Sequence, residues 1–323
     1  MSTIVITGGT GSFGNAMTRH LLETTAHNVR VLSRDEHKQE KMSIEFPPSS
    51  RMTYVLCDVR DLDRLQLAFH GADTVIHAAA NKIVGSGEIH TVEFVKTNVF
   101  GTMNVARACI DNKVKRALLI SSDKAVSSAN LYGKSKAVAE SIFTTSNMYG
   151  HGCKFASVRG GNIWHSRGSV IEKWLSNPDH NIKVYGDQTT RFHLLMSDWL
   201  EFCLRSIHNT HGGEIFIPKC DAWSLHDLAD AFFEVFHDSK VDFLPSRRGD
   251  KAQETLISEH EFSSSIDLDW GYVIEPSDEV RQVWNYVPHV GKQVTSAVSS
   301  DMVRRMGISE LRSLISRTIN NVE

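Results

Sequence analysis

Residues 132 to 136, Tyr-Gly-Lys-Ser-Lys, contain a phenol and an ammonium at a spacing that allows them to act together. Tyr132 and Lys136 are four residues apart, so in a helix their side chains lie on one face. A phenol has a pKa near ~10, and an adjacent ammonium favours the phenolate and lowers that pKa. We expect Tyr132 to take a proton from a hydroxyl group whose carbon loses a hydride. Taken alone, this spacing is also typical of a solvated helix face.

A carboxylic acid and an amine come directly before this pair. Asp123 and Lys124 stand in Ser-Ser-Asp-Lys, at the end of a predicted strand. Ligands of open α/β sheets bind outside the carboxyl ends of the strands, so these groups are candidates for an acid and a base in one cleft. The hydroxyl of Ser122 can hydrogen-bond to a substrate oxygen. The alternative is a surface loop with two opposite charges.

The elements that must position these groups follow from the spacing of apolar residues. Short β-branched runs alternate with longer amphipathic stretches in the first half of the chain. This alternation predicts a doubly wound parallel sheet with helices on both faces, a Rossmann-type α/β fold. The predicted strands are Thr3–Thr7, Asn28–Leu32, Met52–Leu56, Thr74–His77, Arg116–Ser121 and Lys154–Arg159, and the predicted helices are Phe13–Thr24, Leu62–Phe69, Val92–Asn112 and Tyr132–Tyr149.

The second half is less regular and predicts a smaller α/β substrate domain. We place a cofactor domain at residues 1–163 and a substrate domain at 164–323, with part of 186–218 returning to the first domain. Asp267–Asp301 is polar and contains two prolines, so we expect it to be mostly loop. The predicted elements are strands Ile182–Tyr185 and Ile215–Ile217 and helices Asp198–Asn209, Ser224–Phe236 and Ser309–Ile319.

A glycine-rich turn follows the first predicted strand. Gly8, Gly11 and Gly14 allow a sharp turn, a close approach of backbone N–H groups to a pyrophosphate, and tight packing of the next helix on the sheet. The N-terminus of that helix then faces the phosphates. The turn therefore predicts a dinucleotide site that also includes Thr10, Ser12 and Phe13, although a plain βα loop has the same composition.

The residues after the second strand distinguish two cofactors. Ser33 and Arg34 can bind a 2′-phosphate, which favours NADP, whereas the neighbouring Asp35 could bind the ribose hydroxyls of NAD, which is the less favoured alternative. Asp58 and Val59 follow the third strand, where they could meet the adenine. The fourth strand is followed by three small residues, Ala78, Ala79 and Ala80. They would let a cofactor lie close to the backbone, or they would simply pack a helix on the sheet.

Composition and charge exclude several classes of protein. The chain of 323 residues has 35 Lys plus Arg and 38 Asp plus Glu, so its net charge of −3 favours no nucleic-acid partner. It has neither a run of ~20 apolar residues nor a signal-peptide pattern, so we expect no membrane partner and a cytoplasmic location. The five cysteines form no CxxC pair, which indicates reduced thiols. His208 and His211 have the nearest approach to ligand spacing, and we predict no metal site.

These motifs together resemble the extended short-chain dehydrogenase/reductase family, and within it the bacterial nucleotide-sugar 4,6-dehydratases that act on UDP-N-acetylglucosamine. Ser166 to Ser169 is similar to the branch that inverts C5. The resemblance covers nearly the whole chain and is carried by Thr7–Gly14, Ser33–Asp35, Asp58–Asp61, His77–Ala80, Lys96–Asn98, Ser122–Ala125, Tyr132–Lys136, Gly161–Asn162, Ser166–Val170, Thr190–Phe192 and Arg247–Lys251.

The resemblance implies a mechanism and a set of site residues. Tyr132, helped by Lys136, would take the proton from O4 while hydride leaves C4 for NADP⁺. Lys124, neutral because of burial and the charge of Lys136, would take the C5 proton, and a protonated Asp123 would release the C6 hydroxyl as water. The resemblance adds one residue to the cofactor site and five toward the UDP-sugar: Asn98, then Lys82, Asn162, Arg167, Arg191 and Arg247.

The resemblance also implies a homo-oligomer, because Val92–Asn112 and Tyr132–Tyr149 are similar to the helices through which this family associates. Their apolar faces could instead belong to the internal core. Two other functions stay open at this point. A nucleotide-sugar 4-epimerase would use Tyr132 and Lys136 without the chemistry of Asp123 and Lys124, and a cofactor-binding sensor would need none of the four.

Overall fold

The computed structural model describes residues 2–149, 152–186, 188–247 and 249–320. Its strands are β1 Thr3–Thr7, β2 Asn28–Ser33, β3 Met52–Leu56, β4 Thr74–His77, β5 Arg116–Ile120, β6 Lys154–Val158, β7 Asn162–Ile163, β8 Ile182–Tyr185, β9 Thr190–Leu194, β10 Ile215–Ile217, β11 Asp221–Ser224, β12 Val241–Leu244, β13 Thr255–Ile257, β14 Ser265–Leu268, β15 Gly271–Ile274, β16 Lys292–Gln293 and β17 Val298–Ser299. Its α-helices are α1 Ser12–Thr24, α2 Glu36–Glu45, α3 Leu62–Ala68, α4 Val84–Ile89, α5 Thr91–Phe94, α6 Gly101–Asp111, α7 Leu131–Thr145, α8 Val170–Leu175, α9 Met196–Asn209, α10 Leu225–Val235, α11 Asp278–Trp284 and α12 Ile308–Ile319.

The main sheet has ten strands in the order β16-β14-β15-β10-β6-β5-β4-β1-β2-β3. Strands β1 to β6 and β10 pair in parallel, and β14 to β16 add an antiparallel edge. Because β1 lies between β2 and β4, the chain reverses its direction of winding there, and the carboxyl end of β1 faces a crevice in which such sheets bind ligands. The predicted Rossmann-type α/β fold is confirmed.

Alternating residues of each central strand fill the two faces of this sheet. Ile4 and Ile6 of β1 belong to the cluster that includes Met17 of α1, whereas Val5 belongs to the opposite cluster with Val105 of α6. This alternation is the period of two expected of a strand that is buried on both faces. Helices α1 and α9 therefore cover one face, and α3, α6 and α7 cover the other.

A further apolar cluster, separate from the two on the main sheet, packs residues of the second half of the chain. Trp174 of α8, Phe232 of α10 and Leu311 of α12 pack in it with residues of the parallel pair β8 and β12. Strands β14 to β16 of the main sheet come from residues 265–293, so the second half contributes more to that sheet than residues 186–218. The division of the chain at residue 163 into a cofactor and a substrate domain stays a prediction.

The structure differs from the expected elements in two places. Glu36–Glu45 is a helix that apolar spacing did not indicate; the Asp35 carboxylate caps it by accepting from the backbone N–H of Lys38 at 3.0 Å. The predicted helix Val92–Asn112 contains a π-helical segment, Val95–Phe100. As expected, slightly more than half of Asp267–Asp301 is loop, although β14 ends in it and β15, α11, β16 and β17 lie within it. Short strands paired with distant strands carry too little local pattern to be recognised.

Candidate active site

The glycine-rich turn lies against the end of β4. Gly8 has φ +67°, and a Cβ there would be 2.7 Å from the Cα of Ala79. A Cβ at Gly14 would overlap Gly9, so α1 begins directly against the turn. These glycines are required by the backbone itself, and they bring Ala78, Ala79 and Ala80 beside the N-terminus of α1.

An arginine-rich cleft opens beyond the carboxyl ends of β2 and β3. Its volume is about 470 Å³, and the residues that line it are Arg34, Leu56, Cys57, Asp58, Arg60, Asp61 and Arg64. Ser33 hydrogen-bonds to Thr10 of the glycine-rich turn at 2.8 Å, so turn and cleft are continuous. The Asp35 carboxylate caps α2 and pairs with Lys38 at 2.8 Å. Both oxygens of the residue that would favour NAD are therefore already used.

Two arginines of this cleft were missed by sequence reasoning. Arg60 contacts Asp58 at 2.6 Å and Glu93 at 2.6 Å, and Arg64 donates to the carbonyl of Leu56 at 3.0 Å. They are close to Arg34 because the turn after β3 ends beside the turn after β2. The sequence Asp58-Val59-Arg60-Asp61, directly after β3, could have indicated Arg60 as a residue of this cleft.

Asn98 lies in the π-helical segment with 2% of its surface exposed. Its amide donates to the Asn81 carbonyl and to the Ser135 hydroxyl, each at 2.9 Å, and its oxygen accepts from the Asn81 backbone at 2.8 Å. The side-chain amide of Asn98 thus joins the turn after β4 to α7. Direct contact of Asn98 with a cofactor stays a prediction.

Helix α7 carries the phenol–ammonium pair to the end of β5. The side chain of Asn130 caps the helix by accepting from the backbone N–H of Gly133 at 3.0 Å. A Cβ at Gly133 would overlap the carbonyl of Lys124, so glycine is required where the helix meets the Asp123–Ala125 turn. Sequence reasoning did not single out Gly133, although its position inside Tyr-Gly-Lys-Ser-Lys was the signal. The two reactive pairs are consequently neighbours.

The protonation of the phenol–ammonium pair differs from the expectation. Burial raises the pKa of the Tyr132 phenol; Lys124 lowers it and Asp123 raises it, and the net pKa lies above the ordinary value. The predicted lowering is therefore wrong for the protein's own groups. Burial lowers the pKa of Lys136 to about 8, against the opposing charge of Glu140. Desolvation disfavours the charged form of each group and outweighs its neighbours.

Asp123, Lys124 and Ser122 form one connected group. Lys124 Nζ is 3.1 Å from Asp123 Oδ1, which also accepts from the Ser122 hydroxyl at 2.8 Å. Ser122 has a hydrogen-bonding interaction with the phenol of Tyr132. Asp123 is fully buried, and its Oδ2 has no hydrogen-bond partner in the part of the chain that the structure describes. An acid, a base and a phenol therefore meet at the carboxyl end of β5.

Lys124 has a second carboxylate neighbour that sequence reasoning missed. Glu254 Oε1 lies 3.5 Å from Lys124 Nζ, and the glutamate comes directly before β13, 130 positions further along the chain. Burial would lower the pKa of Lys124, but Asp123 and Glu254 outweigh burial and raise it above the ordinary value. These groups therefore favour the ammonium form of Lys124 in the protein by itself. The expectation that desolvation under the substrate and the charge of Lys136 make this amine neutral stays a prediction.

The residues expected at the sugar nucleotide fall into three groups. Asn162 Oδ1 is 3.4 Å from Lys124 Nζ, and Arg191 Nε is 4.0 Å from Glu254, so both lie at the acid–base group. Lys82 donates to the carbonyl of Arg167 at 2.8 Å, and the backbone N–H of Arg167 donates to Ser12 at 3.3 Å. This contact brings the 164–169 loop onto the glycine-rich turn.

Arg247 forms the third group, and its contacts differ from those of Arg167 and Arg191. It pairs with Asp250 at 2.8 Å and lies 4.9 Å from the centre of the Tyr185 ring. Asn130 donates to the carbonyl of Gly249 at 3.2 Å, which attaches the 247–251 turn to the start of α7. The binding role of Arg247 stays a prediction.

One cluster has the residue types of a metal site. His211, Glu214 and His289 have ligand atoms within 4.8 Å of one another. The imidazole rings of His211 and His289 are stacked at 4.6 Å with 9° between their planes, so one ion cannot lie in both planes. Glu214 accepts from the backbone N–H groups of His211 and Gly212 at 2.5 and 2.9 Å. These bonds give the cluster a structural role in the loop before β10. His208, by contrast, bonds its own helix at Leu204 O.

Within the described residues, no helix combines the length and the apolar character that crossing a bilayer requires. Four of the five cysteine thiols are buried, Cys220 is partly buried, and all five are free.

The profile of the polysaccharide biosynthesis protein family matches residues 4–276. The chain belongs to this family. The chain is 38% identical over 280 residues to the UDP-N-acetylglucosamine 4,6-dehydratase (inverting) of Campylobacter jejuni, covering 85% of this chain and 83% of that one. It is 34% identical over 324 residues to the UDP-glucose 4-epimerase of Rickettsia felis, covering 97% and 95%.

Solved structures agree with this placement. The chain superposes on Pen from Bacillus thuringiensis with a TM-score of 0.89, 31% identity and 98% of each chain covered. It superposes on UDP-glucuronic acid 4-epimerase from Bacillus cereus with a TM-score of 0.72 and 16% identity, covering 98% and 99% of the chains. The latter shares the fold, and together these similarities confirm the extended short-chain dehydrogenase/reductase architecture.

Proposed function

We propose that this protein is a UDP-N-acetylglucosamine 4,6-dehydratase that uses NADP and inverts C5. One observation carries the proposal: Lys124 Nζ lies 3.1 Å from Asp123 Oδ1, and Ser122 links this pair to Tyr132. Oxidation at C4 alone needs only Tyr132 and Lys136. Elimination of water from the neighbouring carbons also needs an acid and a base, and this second pair supplies them.

The residues fit a dinucleotide with a 2′-phosphate. Gly8 lets the glycine-rich turn lie directly against the backbone of Ala79 at the carboxyl end of β4. A glycine-rich turn between the first strand and the first helix of such a sheet is where a dinucleotide pyrophosphate binds. Arg34, Arg60 and Arg64 line the cleft beyond β2, and guanidinium groups bind phosphate with paired hydrogen bonds. Asp35 caps α2 and pairs with Lys38, so a contact of its carboxylate with ribose hydroxyls would compete with these two interactions. These contacts support NADP over NAD.

The first half-reaction uses the phenol and the ammonium. NADP, held by the glycine-rich turn and Arg34, would supply the hydride chemistry at C4 and C6, and no external reductant would be consumed. Tyr132 takes the proton from O4. The protein's own groups raise the pKa of Tyr132 in spite of the charge of Lys124, so the phenol is held protonated in the protein by itself. Lys136 lies one turn further along α7, and its pKa is about 8. In its ammonium form it favours the phenolate of Tyr132.

The second half-reaction uses the acid–base pair. A ketone at C4 acidifies the hydrogen on C5, and Lys124 takes it as a proton. Asp123 gives a proton to O6, so the C6 hydroxyl leaves as water. A proton that returns to C5 on the opposite face inverts this centre. The inverting dehydratases of Campylobacter jejuni, 38% identical to this chain, support inversion, as does the sequence Ser166 to Ser169.

The positive groups around this cleft support a diphosphate-linked substrate. Arg191 and Asn162 lie beside the acid–base pair, and Arg167 and Lys82 meet at the glycine-rich turn. We assign these four residues, and Arg247, to the uridine diphosphate. The proposed substrate domain of residues 164–323 supplies three of these five groups, Arg167, Arg191 and Arg247.

Incubation of the purified protein with UDP-N-acetylglucosamine tests the proposal. We expect a product lighter by about 18 mass units, with a 4-keto group and an inverted C5 by NMR, and little net change in nicotinamide absorbance. A product of unchanged mass would show a 4-epimerase instead. The Rickettsia relatives, which match 97% of this chain, are the observation that favours that second candidate. Bound NADP without a product from any UDP-sugar would indicate a sensor.

An apolar surface supports a homo-oligomer. Ile89, Val92, Phe100, Met103 and Val138 are each between 47% and 78% exposed, and they follow α4 to α7 at helical spacing. A cluster of exposed large apolar side chains on adjacent helices is typical of a protein–protein interface. We propose that two copies of the chain associate through these helices.

A further inference from the structure

We infer that Glu254 is a positioning residue that acts through Lys124 and sets the pH above which Lys124 can take the C5 proton. Neither the sequence motifs nor the proposed mechanism uses Glu254. The inference rests on the proposed function, because Lys124 has to be the base of the elimination.

The geometry makes Glu254 a direct neighbour of that base. Lys124 Nζ has three oxygen neighbours: Asp123 Oδ1 at 3.1 Å, Asn162 Oδ1 at 3.4 Å and Glu254 Oε1 at 3.5 Å. The Glu254 side chain is 4% exposed, so little water screens its charge. A buried carboxylate at this distance stabilises the ammonium form of Lys124.

Glu254 is anchored by a part of the chain that contains none of the reactive pairs. Its backbone N–H donates to the Ser300 hydroxyl at 3.0 Å, and its carbonyl accepts from the Ser300 backbone at 2.9 Å. These bonds lie beside the pairing of β13 with β17. The backbone at Glu254 is therefore held without help from its carboxylate, and a change of charge there need not move the chain.

The other charged and titratable groups around Lys124 are few. Arg191 on β9 lies 4.0 Å from Glu254, and Lys251 lies 3.1 Å from it. Tyr132 on α7 faces Lys124, and the Cys220 thiol faces Asp123. Arg191 and Lys251 thus keep Glu254 ionised, while Asp123 and Glu254 together keep Lys124 protonated.

The elimination needs the opposite state of the pair. One proton can pass from Lys124 Nζ to Asp123 Oδ1 along their 3.1 Å hydrogen bond. An N–H bond then breaks, an O–H bond forms, and the amine becomes the base while the carboxylic acid becomes the proton donor for O6. The charge of Glu254 opposes this transfer, because it favours the ammonium. The transfer leaves the number of protons on the pair unchanged, so pH acts only through the form in which both groups are protonated and no base is present. The charge of Glu254 favours that doubly protonated form, and removing the charge should move the loss of the second proton to lower pH.

The test compares the pH dependence of product formation in two Glu→Gln variants. In Glu254→Gln, we expect the rising limb of kcat/KM to move to lower pH by about one unit, since this limb reports the loss of the second proton from the Lys124–Asp123 pair of the free enzyme. Glu259→Gln removes the same charge from an exposed position five residues along the chain, and it should keep the wild-type limb. The first burst of nicotinamide reduction, which depends on Tyr132, should keep its pH dependence in both.

An unshifted limb in a folded Glu254→Gln protein overturns the inference. If that variant fails to fold, Glu254→Asp replaces it: the shorter side chain withdraws the charge, and a smaller shift in the same direction is expected. An unshifted limb in the Asp variant overturns the inference equally. A wild-type protein that does not dehydrate the UDP-sugar would instead overturn the proposed function, so the two failures are distinct.

Discussion

The ammonium of Lys136 donates a hydrogen bond to the main-chain carbonyl of Ile120 across 2.5 Å. This contact ties α7 to the last residue of β5, and the turn that follows β5 carries Asp123 and Lys124. The two reactive pairs are therefore attached to one rigid unit of strand, turn and helix. Chemistry at C4 and chemistry at C5 and C6 of one sugar require such neighbours.

Replacing Lys136 should stop the first half-reaction. In Lys136→Met, we expect the rate of hydride transfer to fall by about 10²- to 10⁴-fold, because the proposed mechanism uses the ammonium of Lys136 to help Tyr132 take the O4 proton. Single-turnover nicotinamide absorbance measures this rate. Lys134→Met, at an exposed position on the same helix, is the matched control. A Lys136→Met enzyme with the wild-type burst would contradict the role assigned to this residue.

Arg34 should determine the choice between the two cofactors. In Arg34→Ala, we expect the Kd for NADP to rise by about 10- to 100-fold, because a hydrogen bond to a charged group contributes about 1.5 to 3 kcal/mol. The Kd for NAD should change little, since NAD lacks the 2′-phosphate, and both values can be obtained by titration calorimetry. Equal losses for both cofactors would place the 2′-phosphate elsewhere.

A methyl group at Gly133 should separate the two reactive pairs. In Gly133→Ala the new Cβ overlaps the carbonyl of Lys124, so the helix or the turn has to move, at a cost of about 1 to 3 kcal/mol of unfolding free energy. Urea denaturation and the rate of dehydration report the two effects. Gly85→Ala adds a methyl where nothing lies within 4 Å, and it should leave both values near the wild type.

His77 should make the protein less stable in acid. Its ring lies between Thr7 and Thr102, at 2.7 and 3.1 Å, and burial, with a smaller effect of Lys136, lowers its pKa from 6.5 to about 3. Below about pH 6.5, His77 therefore binds a proton in the unfolded chain but stays neutral in the folded protein. The free energy of unfolding consequently falls as pH falls.

The expected loss from this group is about 2 kcal/mol at about pH 5, relative to neutral pH. Urea denaturation of the wild type and of His77→Gln at both pH values isolates it, because the other histidines contribute equally to both proteins. The variant should lose less stability in acid than the wild type. An identical pH dependence in the two proteins would show that His77 titrates normally in the folded state.

A charge on the exposed face of α4 to α7 should dissociate the proposed oligomer. Phe100 is 53% exposed and lies in the middle of the apolar surface. Phe100→Glu would place an unpaired carboxylate in the interface, at a cost that disfavours association. Light scattering after size-exclusion chromatography gives the mass of both proteins. A wild type that is already a monomer would refute the oligomer itself.

The reactive pairs and the parallel sheet were predictable because they follow from short-range spacing. Tyr132 and Lys136 are one helical turn apart, and the β-branched runs of β1 to β6 have the period and length of buried strands. The glycine-rich turn is similarly local, since it joins a strand and a helix that are adjacent in the chain. In these cases the partners of each residue lie within a few positions of it.

Protonation and long-range contacts were decided only by the tertiary structure. The sequence by itself determined that Asp123 and Lys124 stand together, but the charge of Lys124 depends on Glu254, which folding brings from 130 positions away. Likewise, the sequence allows Asp35 either to bind a ribose or to cap a helix, and the structure shows that its carboxylate caps α2. Electrostatic energy depends on distance and burial in space, and neither quantity is written in the order of residues.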